Sequence, residues 1–193
     1  PFLVDSVVVT EITCGGLSDG MVEFFVTGGL PPYSYSADDG ASWDTSSIVR
    51  GLSPGSHVTV VRAVSGCLAW GDTITLLDPP VLSLESYTST DITTCAGDSA
   101  GTISVLASGG TGPLEYSVDS VNWQLSGDFV NLPAGSHIAL VRDSRACVLA
   151  FPPLIIDEPP AIVAIITTET SLNGQPGSIT ISASGGTGPL EYS

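Results

Sequence analysis

The chain has 193 residues and a formal net charge of −16, with four Lys and Arg residues in total. Nucleic acid and anionic membrane surfaces are therefore poor partners, because binding to phosphate needs clustered Lys and Arg. Hydrophobic residues make up 42% of the chain and charged residues only 12%, which is too apolar for a disordered chain. With 22 Gly and 14 Pro, the composition predicts an all-β protein with many turns. No apolar run has the length of a membrane span, so we expect no direct membrane insertion.

A ten-residue segment repeats and divides the chain. Residues 108–117 (SGGTGPLEYS) recur letter for letter at 184–193, and a looser copy (TGGLPPYSYS) occupies 27–36. This tandem pattern places repeat one at 1–80, repeat two at 81–160 and the N-terminal half of a third repeat at 161–193. A period of about 80 residues is too long for a solenoid unit and suits a small sandwich domain. We therefore predict tandem Ig-like β-sandwich domains as beads on a string, within a longer protein.

Apolar residues alternate on both sides of each Gly-Gly pair, which predicts strand, turn and strand. For repeat two the pattern places strands, taken in chain order, at 81–87, 101–108, 114–119, 123–125, 128–131, 137–143 and 149–157. No stretch has a sustained helical period, so we expect essentially no helix. Paired prolines at 79–80 and 159–160 predict stiff, extended junctions between domains.

One strand carries apolar residues on both faces, at 57–62 (HVTVVR) and again at 137–142 (HIALVR). Either it is a central strand covered on both sides, or one of its faces meets another domain or chain. The pattern leaves both open. In the strand before each Gly-Gly pair, alternation predicts inward-facing side chains at Val22, Phe24, Val26, Ile103, Val105, Ile179 and Ile181.

The repeats resemble the SprB-type repeats of Bacteroidota gliding-motility and cell-surface adhesins. The resemblance rests on CAGDSAG at 95–101, SGGTGPLEYSVD at 108–119, NLPAGSH at 131–137 and DEPP at 157–160. It departs from the family at His57 and His137, where Tyr is usual, and at 170–174, where the third repeat lacks a cysteine. The family implies very large secreted surface proteins, exported by the type IX system, with Ig-like or PKD-like sandwich repeats. It implies adhesion or surface structure and no catalysis.

Four cysteines occupy equivalent positions in the first two repeats. Zinc is disfavoured, because single cysteines some fifty residues apart lack Cys-x-x-Cys spacing. Two disulfides and an oxidising, extracellular location are the preferred interpretation. Because the spacings recur, we expect the links within repeats, Cys14 with Cys67 and Cys95 with Cys147.

A structural role is the preferred interpretation for each of the remaining candidate sites. His57 and His137 are expected to bond a turn carbonyl, as tyrosine does at a sandwich corner. Five loop aspartates could either ligate calcium or serve as solvated loop carboxylates: Asp38, Asp39, Asp44, Asp119 and Asp128. We prefer the second role because no EF-hand pattern is present. Trp43 and Trp123 are expected to anchor the sandwich cores, with sugar stacking as the alternative. We expect no catalytic residue, metal or cofactor.

The family resemblance adds candidate O-glycosylation sites, since such proteins often carry glycans at Asp-Ser or Asp-Thr followed by an apolar residue. Four matches are present, at Ser6, Thr73, Ser99 and Ser120. The other reading is that these pairs cap local turns. The expected partners are neighbouring repeats, other copies in a fibre, and surface glycans or polysaccharide. A carbohydrate-binding or PKD-like spacer module of a secreted enzyme is the alternative function.

Overall fold

The computed structural model describes residues 1–171 and 176–193, and the described part contains strands and no helix. The expected all-β class is confirmed. The missing cysteine of the third repeat falls in 170–174, and residues 172–174 lie outside the described residues. The sixteen strands are, in chain order, β1 Leu3–Thr10, β2 Gly20–Thr27, β3 Tyr33–Ser36, β4 Ile48–Leu52, β5 Gly55–Ala63, β6 Leu68–Leu76, β7 Ser83–Thr90, β8 Gly101–Ser108, β9 Glu115–Ser117, β10 Asp128–Leu132, β11 Gly135–His137, β12 Leu140–Arg142, β13 Val148–Ala150, β14 Leu154–Ile156, β15 Val163–Glu169 and β16 Ser178–Ser184.

The first six strands form a β-sandwich. Antiparallel sheets β1-β2-β4 and β3-β5-β6 enclose one buried apolar cluster. Its centre is formed by Val22 and Phe24 of β2, which are 0% and 3% exposed, and by Tyr35 and Val61 of the opposite sheet. The predicted phase of β2 is confirmed, because its alternate residues face this cluster. Two packed sheets around one core are the architecture of an Ig-like domain.

Strand β5 is central and covered on both faces. It lies between β3 and β6, and the neighbouring residues Val60 and Val61 are both 0% exposed. Successive side chains of a strand point to opposite faces, so both faces are covered at this point. Val61 belongs to the apolar cluster between the two sheets, whereas Val60 lies outside that cluster.

Residues 81–160 repeat this strand order with one break. Sheet β7-β8-β10 corresponds to β1-β2-β4, and Ile103 and Val105 of β8 are buried as predicted. The counterpart of β5 is split into β11 and β12, which pair with β14 and β13. Pro152 and Pro153 separate β13 from β14, and proline cannot donate a ladder hydrogen bond. The long strand predicted at 149–157 is therefore two short strands.

The Gly-Gly segments carry the chain from one sheet to the other. Both glycines have positive φ in each copy, for example 77° at Gly109 and 66° at Gly110, as the turn prediction required. A Cβ on Gly109 would collide with the carbonyl oxygen of Val81. Gly28 meets Pro1 and Gly185 meets Ala161 in the same way. This close approach of two backbones requires glycine at the first position of each Gly-Gly pair.

In the third repeat β15 and β16 form a two-stranded antiparallel sheet. Ile179 and Ile181 of β16 are 71% and 43% exposed, so the inward placement predicted for them is wrong in this chain. No second sheet lies over β15 and β16 within residues 161–171 and 176–193. The expected open apolar face of a half-sandwich is present.

By Cα proximity the chain divides into two compact units. Unit 1 contains Pro1–Ser83, Gly109–Leu114 and Arg142–Val148. Unit 2 contains Leu84–Ser108, Glu115–Val141 and Leu149–Ser193. Two short segments of repeat two, Gly109–Leu114 and Arg142–Val148, therefore belong to the same compact unit as the first sandwich.

The close approach at Gly109 predicts a position-specific cost of substitution. Gly109→Ala puts a Cβ against Val81 in a left-handed backbone conformation, with a φ of 77°. Gly97→Ala has a similar positive φ, 85°, with nothing within 4 Å of the added Cβ. Each pays about 1–2 kcal/mol for the backbone conformation. Thermal unfolding should give a clearly lower Tm for Gly109→Ala than for Gly97→Ala. Equal Tm values would show that the contact with Val81 has no role.

Candidate functional site

The disulfide joins residues that the sequence analysis did not pair. Cys14 is bonded to Cys147, 133 residues away, with a Cα–Cα distance of 5.7 Å. Cys67 and Cys95 are exposed free thiols. The predicted pairings Cys14–Cys67 and Cys95–Cys147 are therefore wrong. The disulfide crosses the predicted repeat boundary at Pro80.

Strand direction explains why the first pairing within a repeat fails. Cys67 directly precedes β6, which runs for nine residues, or about 30 Å. Cys14 lies beside the other end of that strand, where Gly16 N donates to Asp78 Oδ1 at 3.0 Å. Disulfides need Cα atoms within about 7 Å. Equal spacing shows that Cys14 is equivalent to Cys95 and Cys67 to Cys147. The same spacing fits bonds from one repeat to the next as well as bonds within a repeat.

The loop at residues 143–147 is organised by the carboxylate of Asp143, which is 5% exposed. Asp143 Oδ1 accepts hydrogen bonds from the backbone N–H groups of Arg145 and Cys147, both at 2.9 Å. Its Oδ2 accepts one from Thr111 N at 2.8 Å. Backbone donors satisfy this buried carboxylate and fix the direction of the Cys147 side chain.

Further contacts hold this loop against the Cys14 segment. Arg145 Nη1 donates to the carbonyl of Ile12 at 2.9 Å, and Ser144 N donates to Thr111 O at 3.0 Å. Gly110 N donates to Pro80 O at 3.0 Å. We call the surface formed by Ile12, Cys14, Asp78, Pro79, Pro80 and Thr111 the Cys14 groove. The disulfide is thus one part of a site made mainly of backbone hydrogen bonds.

Sequence reasoning missed Asp143, Arg145 and Thr111 as members of this site. A signal was present: the four residues before the second cysteine are Ala-Val-Ser-Gly in repeat one and Asp-Ser-Arg-Ala in repeat two. Asp143 and Arg145 stand where the loop of repeat one has no charged residue. Such a change indicates that the charged side chains make polar contacts in repeat two.

Both histidines have the structural role that was predicted. Nε2 of His57 donates to Ser53 O at 2.8 Å, and Nε2 of His137 donates to Pro133 O at 2.9 Å. Each ring closes the turn that precedes its own strand. This contact replaces the tyrosine corner bond of other sandwiches.

The loop carboxylates accept hydrogen bonds from their own loops. Asp38 accepts from Ser36 Oγ at 2.6 Å and from Ser42 N at 2.9 Å, and these bonds lower its pKa to about 2. Asp119 accepts from the backbone and side chain of Asn122, which lower its pKa. No group of three or more His, Cys, Asp or Glu in residues 1–171 and 176–193 is placed to hold a metal ion.

The aromatic residues differ from the predicted roles. Trp43 and Trp123 occupy equivalent positions but are only half-buried, and the Arg62 guanidinium lies 4.3 Å from the Trp43 ring centroid. Tyr35 and Tyr116 are 8% and 5% exposed. In repeats one and two the buried aromatic residue is therefore the tyrosine after the Gly-Gly turn, a role that was expected for the tryptophan.

The four candidate glycosylation residues are all exposed. Ser99 and Ser120 lie in turns, as expected, and Ser120 has a φ of 63°. Ser6 and Thr73 lie inside β1 and β6 and not at strand starts. Exposure makes modification sterically feasible at each, and glycosylation stays a prediction.

Comparison with known proteins identifies the repeats. The SprB repeat model matches residues 6–42 and 86–122. These two segments are similar to the SprB repeat. Both matched segments include the strand, the Gly-Gly turn and the tyrosine-bearing strand, so the resemblance seen in the sequence is confirmed. No curated protein matches the chain.

One solved structure similar to the chain is the C-terminal 282-residue fragment of intimin in complex with the intimin-binding domain of the translocated intimin receptor. It has a TM-score of 0.43 and 14% sequence identity to this chain. The match covers 83% of this chain and 66% of that fragment. No helix in the described part of the chain is long and apolar enough to cross a membrane.

Removal of the Cys14–Cys147 disulfide is expected to cause a large, specific loss of stability. It closes a ring spanning 133 residues, which the chain-entropy model values at about 5 kcal/mol. Cys14→Ser should lower Tm by roughly 10 °C or more. Cys67→Ser is the matched control and should leave Tm and the Cys14–Cys147 peptide link unchanged. Equal loss in both variants would contradict the observed pairing.

The Asp38 loop predicts a measurable titration. The folded-state pKa of about 2 lies below the ordinary 3.8, so these hydrogen bonds stabilise the fold above about pH 4, and this contribution is lost as pH falls through about 2. Ser36→Ala removes the largest cause and should raise the Asp38 midpoint toward 3.8 in a carbon-detected NMR titration. Ser46→Ala, which alters a neighbouring turn bond to Ile48 N, should not move it. An unchanged midpoint in Ser36→Ala would refute this origin of the shift.

Proposed function

We propose that the chain is a structural and adhesive repeat segment of a very large secreted cell-surface protein, a gliding adhesin or surface fibre. Its role is mechanical and non-catalytic: the repeats space, connect and present a surface. Domains at residues 1–80 and 81–160, with a further half-repeat at 161–193, are part of this proposal.

The observation that carries the proposal is the cross-link between the first cysteine of repeat one and the second cysteine of repeat two. Bond formation between Cys14 and Cys147 encloses residues 15–146, which include most of both predicted repeats. Load applied at the two chain ends passes through this bond, and the enclosed strands are bypassed. A covalent bypass of this kind suits a protein that bears tension.

The polar chemistry of the chain also fits a passive surface module. The histidines and the loop aspartates Asp38 and Asp119 are engaged in closing turns. A net charge of −16 favours solubility and opposes close association with other acidic polymers. These features agree with an extracellular location and with export by the type IX system, which the family resemblance implies.

The alternative, a carbohydrate-binding module, requires exposed aromatic residues on one face. Tyr35 and Tyr116 are buried, and Trp43 is half-buried with Arg62 over its ring. Neither repeat therefore presents these residues as an open stacking platform. We retain adhesion without a dedicated sugar site as the proposal, with surface glycans or polysaccharide and other copies as partners.

Surface labelling tests the proposed function. Antibody fragments raised against the folded chain should label intact, non-permeabilised source cells and reduce their attachment to a solid surface. Fragments against an unrelated periplasmic protein serve as the control and should label only lysed cells. Labelling of this chain only after lysis would contradict the proposal.

A further inference from the structure

We propose that Cys95 forms a second cross-link of the same kind, with the cysteine loop of a following SprB repeat. The partner is a loop equivalent to residues 143–147, supplied by a repeat that continues the strands of residues 161–193. The inference rests on the repeat array of the proposed function, and it does not depend on what the surface adheres to.

The segment around Cys95 repeats the geometry around Cys14. Gly97 N donates to Glu158 Oε2 at 2.6 Å, as Gly16 N donates to Asp78 Oδ1. Asp98 N donates to Cys95 O at 3.2 Å, as Leu17 N donates to Cys14 O at 3.1 Å. The tight turn that presents the cysteine is therefore the same in both repeats.

The backbone hydrogen bond beside this turn is repeated as well. Gly186 N donates to Pro160 O at 2.8 Å, as Gly110 N donates to Pro80 O at 3.0 Å. Pro160 and Gly186 border a cavity of about 380 Å³. Its lining also includes Thr94, Cys95, Pro159 and Thr187. We call this cavity the Cys95 groove. All of its residues belong to unit 2.

Exposure shows how the two grooves differ. Thr111, whose backbone binds the 143–147 loop, is half-buried, and its counterpart Thr187 is exposed. Cys14 is half-buried in its disulfide, and Cys95 is an exposed thiol. A loop placed on the Cys95 groove would bring an acidic side chain to Thr187 N, as Asp143 reaches Thr111 N.

The cysteine loop keeps its conformation without a bonded partner. In repeat one, Ala63 N donates to Cys67 O at 2.9 Å and Val64 N to Leu30 O at 3.2 Å. These bonds match Asp143 N to Cys147 O at 3.1 Å and Ser144 N to Thr111 O. Gly66 has a φ of 86° and Ala146 one of 64°. A repeat thus presents this loop preformed, before any cross-link exists.

The chemistry is an ordinary thiol oxidation. Each of the two thiols loses a proton, one S–S bond forms, and two electrons pass to an external disulfide oxidant such as oxidised glutathione. The exposed Cys95 thiol is accessible to that oxidant, and the extracellular location proposed above provides oxidising conditions.

An extended chain tests the proposal. Residues 184–193 are identical to 108–117, so a copy of residues 118–160 appended after Ser193 completes the third repeat without a foreign junction. The four native cysteines and the appended copy of Cys147 are then oxidised with glutathione and mapped without reduction. We expect Cys14–Cys147, a link from Cys95 to the appended cysteine, and a free thiol only at Cys67. With Cys95→Ser the appended cysteine should stay free.

The Cys14–Cys147 link in the same sample reports that the repeats have folded. If that link forms while Cys95 stays free, or bonds Cys67 or a second molecule, the proposal is overturned.

A second measurement uses the unextended chain. A peptide copying residues 140–149, activated as a mixed disulfide with thionitrobenzoate, should label Cys95 several-fold faster than Cys67. A copy with Ala at the position of Asp143 should lose this preference. Equal labelling of Cys95 and Cys67 by the native peptide would also overturn the proposal, whatever the fate of the extended chain.

Discussion

A buried carboxylate holds the loop that delivers Cys147 to Cys14 against the Gly-Gly segment. Asp143, 5% exposed, accepts backbone hydrogen bonds from Arg145 and Cys147 of this loop and from Thr111. A buried charge needs such partners, since an unpaired carboxylate would be costly to desolvate. One of those donors, Thr111 N, belongs to the repeated Gly-Gly segment. The segment that sets the repeat frame therefore also binds the loop that brings Cys147 to the first cysteine of the preceding repeat.

The local features of this fold could be predicted from the sequence because local chemistry determines them. Alternation placed Val22, Phe24 and Val105 in the cores, and paired glycines supplied the positive φ of the sheet-to-sheet connections. A histidine directly after Gly-Ser at the start of a strand binds the carbonyl of the preceding turn, as at His57. Each of these predictions used sequence signals from residues fewer than ten positions apart.

The features that the sequence did not predict depend on relations across the fold. A periodic set of cysteines is equally consistent with bonds inside repeats and with bonds from each repeat to the next; the direction of β6 decides, by separating Cys14 from Cys67. The sequence did not predict that tyrosine rather than tryptophan is the buried aromatic residue, because both are large aromatics near the same turn. The split of the strand at Pro152 required knowing which backbone groups face the ladder.

Single-molecule force spectroscopy tests the central claim, that the Cys14–Cys147 bond carries load past both repeats. With the chain held at its two ends, reduction should add the sequence separation of 133 residues to the extensible length, about 470 Å at 3.5 Å per residue. Cys67→Ser should show the same gain on reduction, and Cys14→Ser should show the full length without reductant. An oxidised chain that already extends to the reduced length would contradict the account.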